Sequence, residues 1–289
     1  MAALADYFRL VKFSHSVFAL PFALQSAWLA SRGVPEPRVL LLVVVCTVAA
    51  RTAAMGFNRL VDAELDGQNP RTAGRELPRG VLQRGPVALL VLVASAVFVA
   101  GAFLLGPLCG WLSPLVLACL LGYSFTKRFT WLAHGVLGLC LGLAPLGAWL
   151  AVRGSLEGDL GPPVLLALAV LTWVAGFDLI YACQDADFDA RRGLHSVPAR
   201  FGVARSLVLS RLLHAVTVAL LVAFGLRAEL GWLYGLALAG AAALLVWEHR
   251  LVRADDLSRV DVAFFTVNGW VGVGLFLGLA LDLQLLGSG

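Results

Sequence analysis

The chain has 289 residues, 60% of them hydrophobic and 14% charged, with a formal net charge of +4. An average soluble domain carries roughly 25% charged residues, so this composition cannot cover a water-facing surface and excludes an ordinary soluble protein. The small positive excess is a weak argument for a nucleic-acid partner, and the five cysteines lie in or beside apolar runs with no metal-ligand spacing, as small packing residues do.

Residues 1–15 hold Asp6, Arg9, Lys12 and His15 with no small-residue cleavage pattern after a short apolar core, so the run that begins at Ser16 reads as a first span rather than a removable leader. A spanning helix needs about 20 mostly apolar residues. Candidate spans follow near 16–31, 39–57, 86–105, 108–124, 131–152, 162–183, 206–226, 230–248 and 262–284. They predict an all-α, multi-span membrane bundle of about nine transmembrane helices. No long polar linker divides residues 1–289, which read as a single domain. Continuously apolar runs exclude the alternating pattern of a membrane β-barrel.

Lys and Arg set the orientation. With the N-terminus cytoplasmic, sixteen basic residues fall on the cytoplasmic side and four, Arg32, Arg38, Arg153 and Arg227, on the other. Long polar connections follow the second and sixth spans on the basic side. The expected location is therefore the cell's inner (cytoplasmic) membrane, multi-pass, with function at its cytoplasmic face.

The second span ends in Asn58-Arg-Leu-Val-Asp62-Ala-Glu-Leu-Asp66. At about 100° per residue, positions 58, 62 and 66 form one helical stripe, with Arg51 nearly in line seven residues earlier. The sixth ends in Asp185-Ala-Asp-Phe-Asp189, with Asp178 seven residues upstream on the same face. Two carboxylates one turn apart repel, a helix C-terminus worsens this, and each buried acid costs roughly 2.5–3.5 kcal/mol on insertion scales. A hard divalent cation answers all three. Mg²⁺ fits best, since it takes one or two carboxylates plus phosphate oxygens. A water-solvated helix end explains either motif alone equally well; two such pairs on one basic face favour a site.

Basic residues follow each motif: Arg71, Arg75 and Arg79 after the first, and Arg191, Arg192 and Arg200 after the second, with Lys127-Arg128 at the end of the fourth span. Acids that hold metal beside cations that hold phosphate oxygens describe a diphosphate site. The positive-inside rule alone accounts for Arg84, Arg250, Arg253 and Arg259. His134 and His214 read as packed or hydrogen-bonded residues, and Trp173, Phe177 and Trp270 as core or lipid-facing. A membrane-embedded diphosphate site suits a charged head on a greasy tail, as in a polyprenyl diphosphate. Its metal-assisted ionisation gives an allylic cation that apolar and aromatic walls shelter.

Asn58-x3-Asp62-x3-Asp66 and Asp185-x3-Asp189 resemble the two signature motifs of the UbiA superfamily of intramembrane prenyltransferases. The flanking Arg51, Arg71-Thr-x-x-Arg75-x-Leu-Pro78, Tyr123-x3-Lys127-Arg128 and Tyr181 are similar as well, and the resemblance spans essentially the whole chain. It implies Mg²⁺-dependent transfer of a polyprenyl group from its diphosphate to an aromatic acid. Asn58, Asp62 and Asp66 would hold one metal ion, and Asp185 and Asp189 a second. Arg75, Lys127 and Arg128 would bind the diphosphate. Arg51 or Lys12 would hold the acceptor carboxylate, and Asp178 and Tyr181 are candidates to take the final proton. Pairing with a helix-end acid such as Asp178 is the alternative role for Arg51.

The stretches Lys12-Phe-Ser-His15-Ser-Val-Phe-Ala-Leu-Pro21 and Gly193-Leu-His195-Ser-Val-Pro198-Ala-Arg200-Phe-Gly202 look more like the menaquinone-side, futalosine-route relatives, whose acceptor is 1,4-dihydroxy-6-naphthoate. The branch that acts on 4-hydroxybenzoate in ubiquinone synthesis more often carries Asp-Lys-Pro near position 14 and Lys-Ser-Thr near 195, both absent here. Two other classes compete. A secondary transporter would set its acids near the midplane on broken helices. Another lipid-diphosphate enzyme, a CDP-alcohol phosphotransferase, packs its acids at a spacing that Asp62-x3-Asp66 does not match.

Overall fold

The structure, a computed structural model, describes residues 4–11 and 18–286. Among the described residues there is no β-sheet, and twelve α-helices follow in order: α1 (Leu4–Leu10), α2 (Leu20–Ser31), α3 (Pro37–Gln68), α4 (Arg84–Leu105), α5 (Pro107–Gly122), α6 (Ala133–Arg153), α7 (Gly161–Ala182), α8 (Ala186–Arg191), α9 (Val197–Phe201), α10 (Val203–Arg227), α11 (Trp232–Leu251) and α12 (Asn268–Leu285). Short 3-10 segments, Tyr123–Arg128 and Cys183–Asp185, follow α5 and α7, and a π-helical turn, Val262–Val267, leads into α12. Eight described helices are long and apolar enough to cross a membrane, in agreement with the second to ninth candidate spans. The first candidate, 16–31, is described only in part; its described helix, α2, has 12 residues.

Local chemistry sets the boundaries. Pro37 and Pro162 lie in the first turns of α3 and α7, where a missing N–H costs nothing. Asn69, which precedes Pro70, is extended and ends α3. Before that stop α3 runs for 32 residues. That is about 48 Å at 1.5 Å per residue, against a hydrocarbon core of about 30 Å. The second span, expected to end near 57, therefore continues unbroken and carries Asn58, Asp62 and Asp66 past the apolar layer. The second motif departs from a continuous helix: α7 stops at Ala182, and a 3-10 turn through Asp185 re-aims the chain before α8.

α7 is the central element, packed between α6 and α10 and touched by α2 and the π turn. Gly138 and Gly142 of α6 face the carbonyls of Leu171 and Ala167, so a β-carbon at either position would drive the helices apart. Small residues allow this close approach where lipid supplies no hydrophobic drive. Phe18, Trp173, Phe177 and Phe264 interlock edge to face in the core, and Phe22 packs tilted against Trp173. Large apolar side chains such as Trp111, Leu92 and Leu226 are exposed, as a lipid-facing surface requires. Trp270 is exposed as well.

Candidate active site

The ends of α3, α5 and α7 meet at one end of the bundle, around the mouth of a cavity of about 690 Å³. Every candidate residue that is described lines this cavity: Arg51, Asn58, Asp62, Asp66, Arg75, Lys127, Arg128, Asp178, Tyr181, Asp185 and Asp189. Lys12 lies outside the described residues. The far part of the cavity is apolar, walled by Cys46, Leu105, Leu112, Trp149 and Leu160. One compartment thus joins a charged mouth to a greasy interior.

Each motif carboxylate has a cation beside it. Arg75 Nη1 donates to Asp66 Oδ1 at 2.6 Å and Oδ2 at 2.7 Å. Arg128 Nη2 donates to Asp62 Oδ1 at 3.2 Å and to the Val61 carbonyl at 2.9 Å. Asn58 Nδ2 reaches Asp62 Oδ2 at 2.9 Å. Arg71 grips Asp185 through Nε at 2.8 Å and through Nη2, while its Nη1 donates to the Tyr181 hydroxyl at 2.8 Å. The guanidinium also stacks over the Tyr181 ring, 4.9 Å from its centroid. Burial opposes the Arg71 charge, but Asp185 and Tyr181 outweigh it and hold this guanidinium above its ordinary pKa. Lys127 Nζ lies 3.7 Å from Asp189 Oδ2, a buried oxygen that accepts no hydrogen bond.

The donor set is all oxygen and suits a hard cation. Among the described residues no three His, Cys, Asp or Glu side chains converge on one point. Any ion here would combine one or two carboxylates with oxygens brought by a substrate, which is the habit of Mg²⁺. Asp189 Oδ2, buried without a hydrogen-bond donor, is an available ligand atom.

Arg51 and Asp178 do not pair. Asp178 Oδ2 meets His134 Nδ1 at 2.6 Å instead. Arg51 has no carboxylate partner among the described residues, and its Nε is buried without an acceptor. Reading the sequence alone undervalued four residues. Arg59, 5% exposed, sits 3.9 Å from Asp66 and donates to the Leu10 carbonyl; as a topology charge it looked ordinary. Asn69 Nδ2 donates to Asp185 Oδ1 at 2.9 Å and Arg71 grips the same acid, joining the two motifs across more than a hundred residues. The Asn69-Pro-Arg71 stretch directly after the first motif was the available signal. His134 gave none beyond its place in an apolar helix.

The UbiA prenyltransferase family model matches residues 19–270. A 4-hydroxybenzoate octaprenyltransferase of Pseudomonas aeruginosa is 34% identical over 262 residues, 91% of this chain and 87% of that protein. One from Chromohalobacter salexigens is 32% identical over 98% of this chain and 94% of its own length. Among solved structures, the apo UbiA homologue of Aeropyrum pernix superposes with a TM-score of 0.84 at 35% identity, covering 93% of this chain and 98% of that one. A UbiA homologue of Archaeoglobus fulgidus bound to DMAPP and Mg²⁺ shares the fold, with a TM-score of 0.75 at 18% identity over 97% and 100% of the two chains. The chain is an integral membrane protein and a prenyltransferase, and it belongs to the UbiA prenyltransferase family.

Proposed function

We propose that the protein transfers a polyprenyl group from a polyprenyl diphosphate to an aromatic acid in quinone biosynthesis, using Mg²⁺, at the cytoplasmic face of the inner membrane. The observation that carries this reading is the joining of four acids and their cations to an apolar cavity in one compartment. The diphosphate lies at the mouth and the prenyl chain in the apolar part. Asn58, Asp62 and Asp66, and across from them Asp185 and Asp189, would hold Mg²⁺, which supplies Lewis-acid stabilisation of the leaving diphosphate when bound.

As the substrate enters, Arg75, Lys127 and Arg128 exchange their carboxylate partners for phosphate oxygens. Their charge stabilises the leaving diphosphate as the C1–O bond breaks. Tyr181, Phe177 and Phe264, packed ring to ring, shield the allylic cation from water and offer it π faces. The acceptor's electron-rich ring attacks C1, and Arg51 holds its carboxylate. Arg51 is suited to this because the described residues offer it no other anion.

The relatives named above point to 4-hydroxybenzoate as acceptor, and the flanking sequences near 12–21 and 193–202 point to a dihydroxynaphthoate. Product mass spectrometry decides: membranes offered several prenyl diphosphates and both acids should form one prenylated acid, and excess EDTA should abolish it. Transfer undiminished in EDTA refutes the metal. Formation of neither product refutes the aromatic-acid acceptor.

A further inference from the structure

The proton released when the ring regains aromaticity needs an acceptor in the cavity wall. Asp62, Asp66, Asp185 and Asp189 are the acids assigned to Mg²⁺, and before substrate enters each also faces a cation. The Tyr181 hydroxyl already accepts from Arg71. Asp178 differs, because among the described residues its partner is a histidine and no Lys or Arg. It can take up a proton without breaking an ion pair with Lys or Arg.

The histidine's tautomer follows from the backbone. His134 is 3% exposed at the start of α6. Its Nε2 accepts the Val197 N–H at 3.4 Å, and a backbone amide only donates. In the neutral ring the proton therefore sits on Nδ1, where it is donated to Asp178 Oδ2 at 2.6 Å. One carboxylate oxygen is fixed, and the second makes no hydrogen bond among the described residues while the side chain lines the cavity. The same loop is tied to the diphosphate cations: the His195 N–H donates to the Lys127 carbonyl at 2.7 Å, two residues before Val197. The arrangement sets the carboxylate at a fixed place relative to Lys127.

We propose that His134 is a positioning residue that holds Asp178 as the proton acceptor of the transfer, an inference that rests on the function proposed above. The diphosphate leaves with the C1–O electron pair, and a π pair of the acceptor ring then forms the bond from the ring carbon to prenyl C1 of the allylic cation. The C–H bond at that ring carbon then breaks, its electrons restore the aromatic ring, and the proton passes to the free oxygen of Asp178. The carboxyl later yields it to water.

The test uses full-length protein in membranes, geranyl diphosphate, and the ring-deuterated form of whichever of the two acids wild type prenylates. His134→Asn keeps a donor at the Nδ1 position, whereas His134→Gln and His134→Leu lose it. His134→Gln should lower kcat at least about tenfold, a part of the 10²–10⁴ that a general base contributes, with the KM for geranyl diphosphate unchanged. The isotope effect on kcat should rise above that of wild type in His134→Gln and in Asp178→Asn, and His134→Asn should recover most of the rate. If His134→Leu fails to fold, the Asn and Gln variants decide alone. An unchanged isotope effect in the Gln variant, or a Gln variant as fast as Asn, overturns the positioning role. Wild type that prenylates neither acid overturns the function itself and this role with it.

Discussion

Arg51 offers the sharpest test of how the acceptor binds. It lies seven residues before Asn58 on α3, about 10 Å deeper at 1.5 Å per residue, below the mouth where the motif acids and basic residues gather. The ion pair with Asp178 that would make it a structural residue is not formed, since Asp178 is turned to His134. Arg51→Lys keeps the charge and loses the planar fork that matches a carboxylate. The loss of one charge-assisted hydrogen bond is worth roughly 1.5–3 kcal/mol. At 1.4 kcal/mol per tenfold, the KM for the aromatic acid should rise roughly ten- to a hundredfold. The KM for the prenyl diphosphate should stay constant, because its head group sits at the mouth. Arg51→Met should abolish productive acceptor binding without lowering thermal stability in detergent, since it removes a cation whose Nε is buried without an acceptor and that has no carboxylate partner among the described residues. Steady-state kinetics with each substrate varied in turn, together with a melting curve, separate the outcomes. A rise confined to the KM for prenyl diphosphate, or a loss of stability with both KM values intact, would falsify the assignment.

Asp62→Ala and Asp185→Ala should each cut turnover by at least about a hundredfold, the scale seen when one preorganised charge-stabilising group is lost; initial rates in membranes report it, and a wild-type rate in either variant removes that residue from the site. Asp185→Ala should also release Arg71 and Asn69, so protease cleavage of the loop after α3 should speed up relative to Asp62→Ala. The connections 67–85 and 190–204 should face the cytoplasm, given the sixteen-to-four basic asymmetry. Cysteines placed at Gly74 and Leu194, in a background lacking the native ones, should react with impermeant reagent only from that side. Periplasmic labelling would overturn the orientation and the site reading together.

Composition and apolar run length by themselves determined the helical membrane class and the second to ninth spans. A bilayer imposes a length of about 20 residues on every crossing, and that constraint is written linearly in the chain. The stripe of Asn58, Asp62 and Asp66 was legible for a similar reason: helical periodicity is local, and α3 continues through it. Which cation meets which acid was not legible. Arg71 and Asn69 reach Asp185 because the chain reverses after Asn69 and α7 ends beside it, a consequence of how separate helices pack. The pairing of His134 with Asp178 in place of Arg51 is decided in the same way, by α6 lying against α7 where Gly138 and Gly142 let the two backbones close in. Sequence spacing carries the chemistry of one helix. The contacts between helices depend on rotation and depth in the bundle, and these were fixed only when all the helices were packed together.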